Sequence, residues 1–87
     1  MTLREYAKSI RLPLFIELRP ADDVIVSFGL EVDLKNGSTI HRIHGRGINI
    51  EDAVASFVSK IKGGNLVFSK DFEVTRCEKV PADLLGF

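Results

Sequence analysis

The chain is short of the residues that usually announce a chemistry. It has one cysteine, Cys77, among 87 residues, so no internal disulfide framework can staple it. Neither charge is in excess, since Lys and Arg total 12 and Asp and Glu total 12. Residues 1–47 carry seven basic and six acidic side chains and residues 48–87 five and six, so neither half is a charged tail. That balance argues against a strongly acidic nucleic-acid mimic and against a strongly basic, generic phosphate binder. No apolar run reaches the roughly 18 residues of a membrane span, and the opening MTLREYAKSI is too charged for a signal peptide. These absences lead to the expectation of a reducing, cytoplasmic setting without a membrane partner. There is no internal repeat, no low-complexity segment, no paired-carboxylate signature, no Ser-His-Asp arrangement and no Walker sequence. An enzyme is therefore not expected, and no cofactor is implied.

What is present reads as a small folded unit. Hydrophobic residues make up 45% of the chain, enough for a core, and the length suits a single domain, 1–87, with one core layer between packed elements. The stretch Ile48 to Gly64 announces itself as a helix. Asn49 is a good N-cap, with Asp52 completing a variant capping box and Ile48 and Ala53 at the positions of a hydrophobic staple. Ala53, Val54, Phe57, Val58 and Ile61 form an apolar stripe at helical spacing, and Gly63-Gly64 supplies a stop. A shorter helix is expected over Thr2 to Ser9, where Thr2 and Glu5 form a capping box and Pro13 follows.

Strands fill the rest. Leu14, Ile16 and Leu18 alternate with Phe15, Glu17 and Arg19 as a half-buried first strand. Val24 to Leu34 is the clearest, with Val24, Val26, Phe28, Leu30, Val32 and Leu34 on one face. Asn36-Gly37 predicts a type I′ hairpin turn into a third strand over Thr39 to Arg46. After the helix, Leu66 to Phe68 and Phe72 to Lys79 predict a hairpin around Ser69-Lys70-Asp71, and Pro81-Ala82-Asp83 opens either a last helical turn or a tail. The expected fold is α+β: an antiparallel meander of at least three strands packed by one main helix, with a short N-terminal helix and a C-terminal β segment.

Candidate sites are few. His41 and His44 catch attention as a metal pair, but residues three apart on a strand point to opposite faces, and further ligands are scarce; no metal site is expected. Arg42, His44 and Arg46 share a strand face as a small basic strip that Lys35 extends, the candidate nucleic-acid surface. Gly45-x-Gly47 before a helix suits a tight strand-to-helix turn better than a phosphate cradle, because Glu51 and Asp52 occupy the first helical turn and repel anions. Cys77 lacks an adjacent base. Phe15 and Ile25 on the outer sheet face, and Leu84, Leu85 and Phe87 at the end, are the candidate protein-docking residues, the last three to be covered either by the chain's own core or by another chain.

The order helix, three-stranded meander, helix, with Gly45-Arg46-Gly47 before the second helix, resembles the double-stranded-RNA-binding fold over residues 2–62. That family places lysines where this chain has Glu51 and Asp52. The stretch GINIEDAVASFVSKIKG is similar to the partial fold of HicB-type antitoxins, whose acidic helix opening Glu51, Asp52 and Ala53 match. In size and layout the chain also resembles small bacteriophage and prophage proteins. The function expected from these readings is a non-enzymatic interaction module, a small phage-encoded accessory protein that binds a host or phage protein or self-associates. The alternative is RNA binding through the basic strand face.

Overall fold

The structure, a computed structural model, describes residues 1–29 and 32–87, with the backbone alone at Asn36 and His41. It is an α+β fold in which helices α1 (Leu3–Ser9) and α2 (Ile50–Ile61) accompany strands β1 (Phe15–Leu18), β2 (Val24–Ser27), β3 (Val32–Asn36), β4 (Thr39–Arg42), β5 (Gly45–Gly47), β6 (Asn65–Lys70) and β7 (Glu73–Lys79). The strands form two antiparallel sheets, ordered β1-β2-β5 and β4-β3-β6-β7.

The two sheets share one bent ribbon. The expected Val24 to Leu34 strand is two strands, and so is the expected Thr39 to Arg46 strand; Leu30 and Glu31 lie outside the described residues. Val26 pairs with Gly45 and Asp33 with Arg42, so seven steps along one arm match three along the other. Such an excess on one arm bends a ribbon and lets its strands change sheets. At this corner Phe28 turns inward, its ring edge-on to Phe57 of α2 at 5.1 Å between centroids. The tip of the ribbon differs from the expected I′ turn. Asn36 pairs with Thr39, and Gly37 (φ 64) is the first central residue, the II′ arrangement.

α2 lies against β5 and β2. Asn49 caps it, accepting from the Asp52 N–H at 2.8 Å, and Ala53, Val54, Phe57, Val58 and Ile61 are all buried as their spacing requires. Ile48 is 80% exposed, so no hydrophobic staple forms on Ala53. The glycines before the helix serve a purpose other than a tight turn. A Cβ on Gly45 would stand 2.5 Å from the Phe57 nitrogen, and one on Gly47 2.5 Å from the Ala53 nitrogen. They are the floor on which the helix rests. At the far end Gly63 has φ 75, and its N–H donates to the Val80 carbonyl at 3.1 Å, so the stop is also a tertiary contact.

α1 bears the expected reciprocal capping box between Thr2 and Glu5, and the Thr2 backbone N–H holds the Glu5 carboxyl below its ordinary pKa. The helix closes with a Schellman pair, Leu12 N–H to Ala7 carbonyl and Arg11 N–H to Lys8 carbonyl, which requires Arg11 at φ 57. Leu3, Tyr6, Ala7 and Ile10 join the core with Val80 and Leu84 of the last segment. Two backbone bonds, Leu3 N–H to the Gly86 carbonyl and Leu85 N–H to the Met1 carbonyl, both 2.9 Å, clasp that segment to residues 1–3. The Tyr6 hydroxyl donates to the Lys79 carbonyl at 3.0 Å, and desolvation, with the Glu78 carboxylate second, pushes its pKa up to about 12.

Two outcomes follow from this packing. Gly45→Ala should lose about 1–3 kcal/mol in chemical denaturation by overpacking, whereas Gly86→Ala, with nothing within 4 Å of its added carbon, should be neutral. Because the Tyr6 pKa is raised above its ordinary 10.0, the stability it contributes is complete below pH 10 and fades as pH climbs towards 12, the unfolded chain giving up its proton first. Denaturation midpoints measured across that window should fall less steeply for Tyr6→Phe than for the parent chain.

Candidate interaction surface

A helix with its side chains is about 10–12 Å across, and neighbouring strands are about 4.8 Å apart. One helix centred on β5 and β2 therefore leaves β1 uncovered. All four residues of β1 are exposed, contrary to the half-buried strand its alternation predicts. Register places Phe15 opposite Ser27 and Glu17 opposite Ile25 on the outer face, and Ile16 opposite Val26 and Leu18 opposite Val24 on the helix side. Phe15 is 53% and Leu18 73% exposed, so apolar surface lies on both faces of one strand.

β1 is also a sheet edge. The Arg19 N–H donates to the Asp23 carbonyl at 2.9 Å, so Arg19, and by the period of two Glu17 and Phe15, direct their backbone groups towards β2. Ile16 and Leu18 then turn their N–H and C=O groups to the open side. Pro13 and Pro20 bracket this edge and keep it short.

On the outer face a groove runs beside the edge. Its wider part, about 560 Å³, has Phe15, Ile16, Ile25 and Gly29 in its walls. It continues past Ile25, Ser27 and Gly29 into a part of about 240 Å³ rimmed by Glu17, Arg19, Arg42 and His44, so one carboxylate stands among the basic groups. Gly29 (φ 101) shapes the join, because a Cβ there would meet the Phe15 ring at 3.1 Å. Leu18 and Ile50 flank a further hollow at the start of α2.

The basic strip is divided by the bend. Arg42 is on β4, Arg46 on β5, and His44 lies between them, outside either strand. All three are exposed, as is Lys35 on β3. Arg46 already has a partner, its Nε lying 2.7 Å from the carboxylate of Asp23, a residue only 8% exposed, with Arg19 Nε at 3.8 Å. No aligned hydrogen bond from a described residue reaches either Asp23 oxygen, so the two guanidinium groups balance its charge by proximity. Asp23 is a residue the sequence does not single out; only its place four after Arg19 hints at the pair.

The other candidates separate. Leu84 is 4% exposed, a core residue and not a docking residue of the folded chain, because the clasp at residues 1–3 draws it inward. Leu85 remains exposed, and Phe87 is half-exposed beneath the Arg4 guanidinium, 5.4 Å from its ring centre. Cys77 is exposed on β7. The His41 side chain lies outside the described residues, and among the described residues no group of three His, Cys, Asp or Glu could hold a metal ion. No described helix is long and apolar enough to cross a membrane. Compared with protein-family models, curated proteins and solved structures, the chain matches none.

Arg46→Ala should cost about 1–2 kcal/mol, since it strands a buried carboxylate beside a guanidinium that is itself largely solvated. Adding Asp23→Asn should recover most of that loss. Urea denaturation of the single and double variants checks both; full stability in the single variant would show that the pair carries no structural load.

Proposed function

We propose that this chain is a non-enzymatic protein-interaction module that receives its partner along β1 and the groove beside it. The observation that carries the reading is the state of β1: a sheet edge whose outward backbone groups at Ile16 and Leu18 have no strand partner among the described residues, with Phe15 and Leu18 exposed on opposite faces. An extended segment of a partner can add to such an edge, taking affinity from backbone hydrogen bonds and selectivity from apolar side chains on alternate faces. Phe15 and Ile25 then act as groove contacts, while Leu85 and Phe87 form a separate, smaller patch.

A second reading, nucleic-acid binding through Lys35, Arg42, His44 and Arg46, draws support from the exposed Arg42 and His44 at the groove rim. The Asp23 carboxylate beside Arg46 opposes it, by offsetting part of the positive field a phosphate would meet.

The two readings part in an affinity capture from bacterial lysate run with and without nuclease. Protein binding predicts a single polypeptide retained after nuclease and lost with Leu18→Ser or with Ile16→Pro, a change that deletes an outward N–H and spares the ladder to β2. Recovery that disappears with nuclease, and an affinity that falls steeply with salt, would transfer the assignment to the basic residues.

A further inference from the structure

The hairpin of β6 and β7 ends differently from the ribbon. Lys70 pairs with Glu73, so Asp71 and Phe72 alone make the turn, with φ 52 and 66. This corrects the expected Ser69-Lys70-Asp71 turn. It is the I′ geometry, which favours Asn-Gly and which a bulky aromatic rarely adopts. A one-residue register shift between Phe68 and Ser69 lets the strands close on so short a turn. The Phe72 side chain is fully exposed, so no packing from its own chain offsets the strained backbone. An extended backbone would suit it better, since aromatic residues fit strands.

The strained turn joins two parts that fit each other closely. Beyond it, β7 pairs with β6 from Glu73 to Lys79, and the Arg76 guanidinium lies 4.9 Å from the Phe68 ring centre and donates to the Ile10 carbonyl at 2.7 Å. Val80 and Leu84 are buried in the core, and the clasp to residues 1–3 holds the end. None of these contacts requires the two parts to belong to the same molecule. We infer that the turn is an exchange hinge: two copies of this chain open it, run β6 and β7 on as one strand from Asn65 to Lys79, and each seats its residues 73–87 in the other. The interface so formed is the one the monomer already makes, and the gain is the release of both strained turns. Against it stands the lost independent motion of two molecules, so exchange needs a high protein concentration. Without the turn, the register of Asn65 to Phe68 against Arg76 to Lys79 continues through the hinge. It sets Phe72 of the two copies opposite each other on a two-fold axis, an aromatic cross-strand pair where the monomer leaves each ring in water. The same register sets Asp71 opposite Glu73 of the other copy; both are exposed, so salt screens their repulsion. The exchange closes at two copies and does not draw on the β1 face.

The test is refolding from urea at about 1 mM and at about 10 µM protein, near and far below the effective concentration of a segment on a short tether. Sedimentation velocity in moderate salt, with reductant to keep the exposed Cys77 from cross-linking, should show a species of twice the 9.7 kDa chain mass after the first and not after the second. Phe72→Gly gives the Asp-Gly that a I′ turn favours; it should raise the melting temperature and cut the dimer fraction by about tenfold or more. Val67→Cys reads the exchange itself, because Val67 lies opposite Cys77. The Val80 N–H donates to the Gly64 carbonyl, so by the period of two positions 67 and 77 form a non-hydrogen-bonded pair, Cα atoms about 4.5 Å apart and within disulfide reach. Oxidised after isolation, the dimer of this variant should run as a covalent dimer on a non-reducing denaturing gel, and the parent dimer treated alike as a monomer. A parent chain that is monomeric after both refoldings, a dimer fraction untouched by Phe72→Gly, or a Val67→Cys dimer whose disulfides are all intrachain would each overturn the inference. A dimer that survives Phe72→Gly but is lost with Ile16→Pro would overturn it and assign the association to β1.

Discussion

The approach of α2 to the backbone of β5 is the constraint on which the rest of this structure depends. Helix and strand meet where Gly45 and Gly47 present no side chain, so the helix backbone sits where a Cβ would otherwise stand. Lowering the helix onto this floor brings Phe57 against Phe28 and buries Val24 and Val26 beneath the stripe of α2. The bend of the ribbon, the entry of Phe28 into the core and the division of the strands between two sheets all accompany that seat. The seat is also off-centre. Because α2 covers β5 and β2 but not β1, the arrangement that completes the core leaves an apolar edge outside it.

Much of this was legible in the residues, and what was not has physical reasons. The caps at Thr2 and Asn49 and the buried stripe from Ala53 to Ile61 depend on neighbours within a helical turn, which the chain specifies locally. The period of two puts Val24, Val26, Phe28, Val32 and Leu34 on the inward face, where all five are buried, yet it carries no information about where a strand bends. Phe28 fits the alternation of a straight strand and a corner equally well. In the sequence Gly45 and Gly47 suit a turn, whereas their use is clearance, a distinction that exists only once Phe57 and Ala53 stand above them.

The candidate surface was less legible still. Phe15 and Ile25 alternate out of phase with the core, which marks them in the sequence, and the structure puts them in one groove. Ile16 and Leu18 have the alternation of buried residues, and their exposure reflects the width of a helix on another part of the chain. Phe72 looked like the first residue of a strand; nothing in SKDFEV reveals that the turn falls one residue later. Between core and interface Leu84 is undecided in the sequence for the opposite reason, since its burial depends on hydrogen bonds to residues almost the whole chain away.

That distance bears on the order in which the chain comes together. The ribbon and α2 are contiguous in sequence, from Val24 to Ile61, and contribute most of the core residues. The entropic cost of closing a loop rises with its length, and contacts between near neighbours are the first to repay it. The clasp between Thr2 and Leu85 spans the longest loop in the molecule and closes on a surface the central segment must already have built. Loop-closure entropy therefore leads to the expectation that the outer layer of α1, Val80 and Leu84 docks last and opens first.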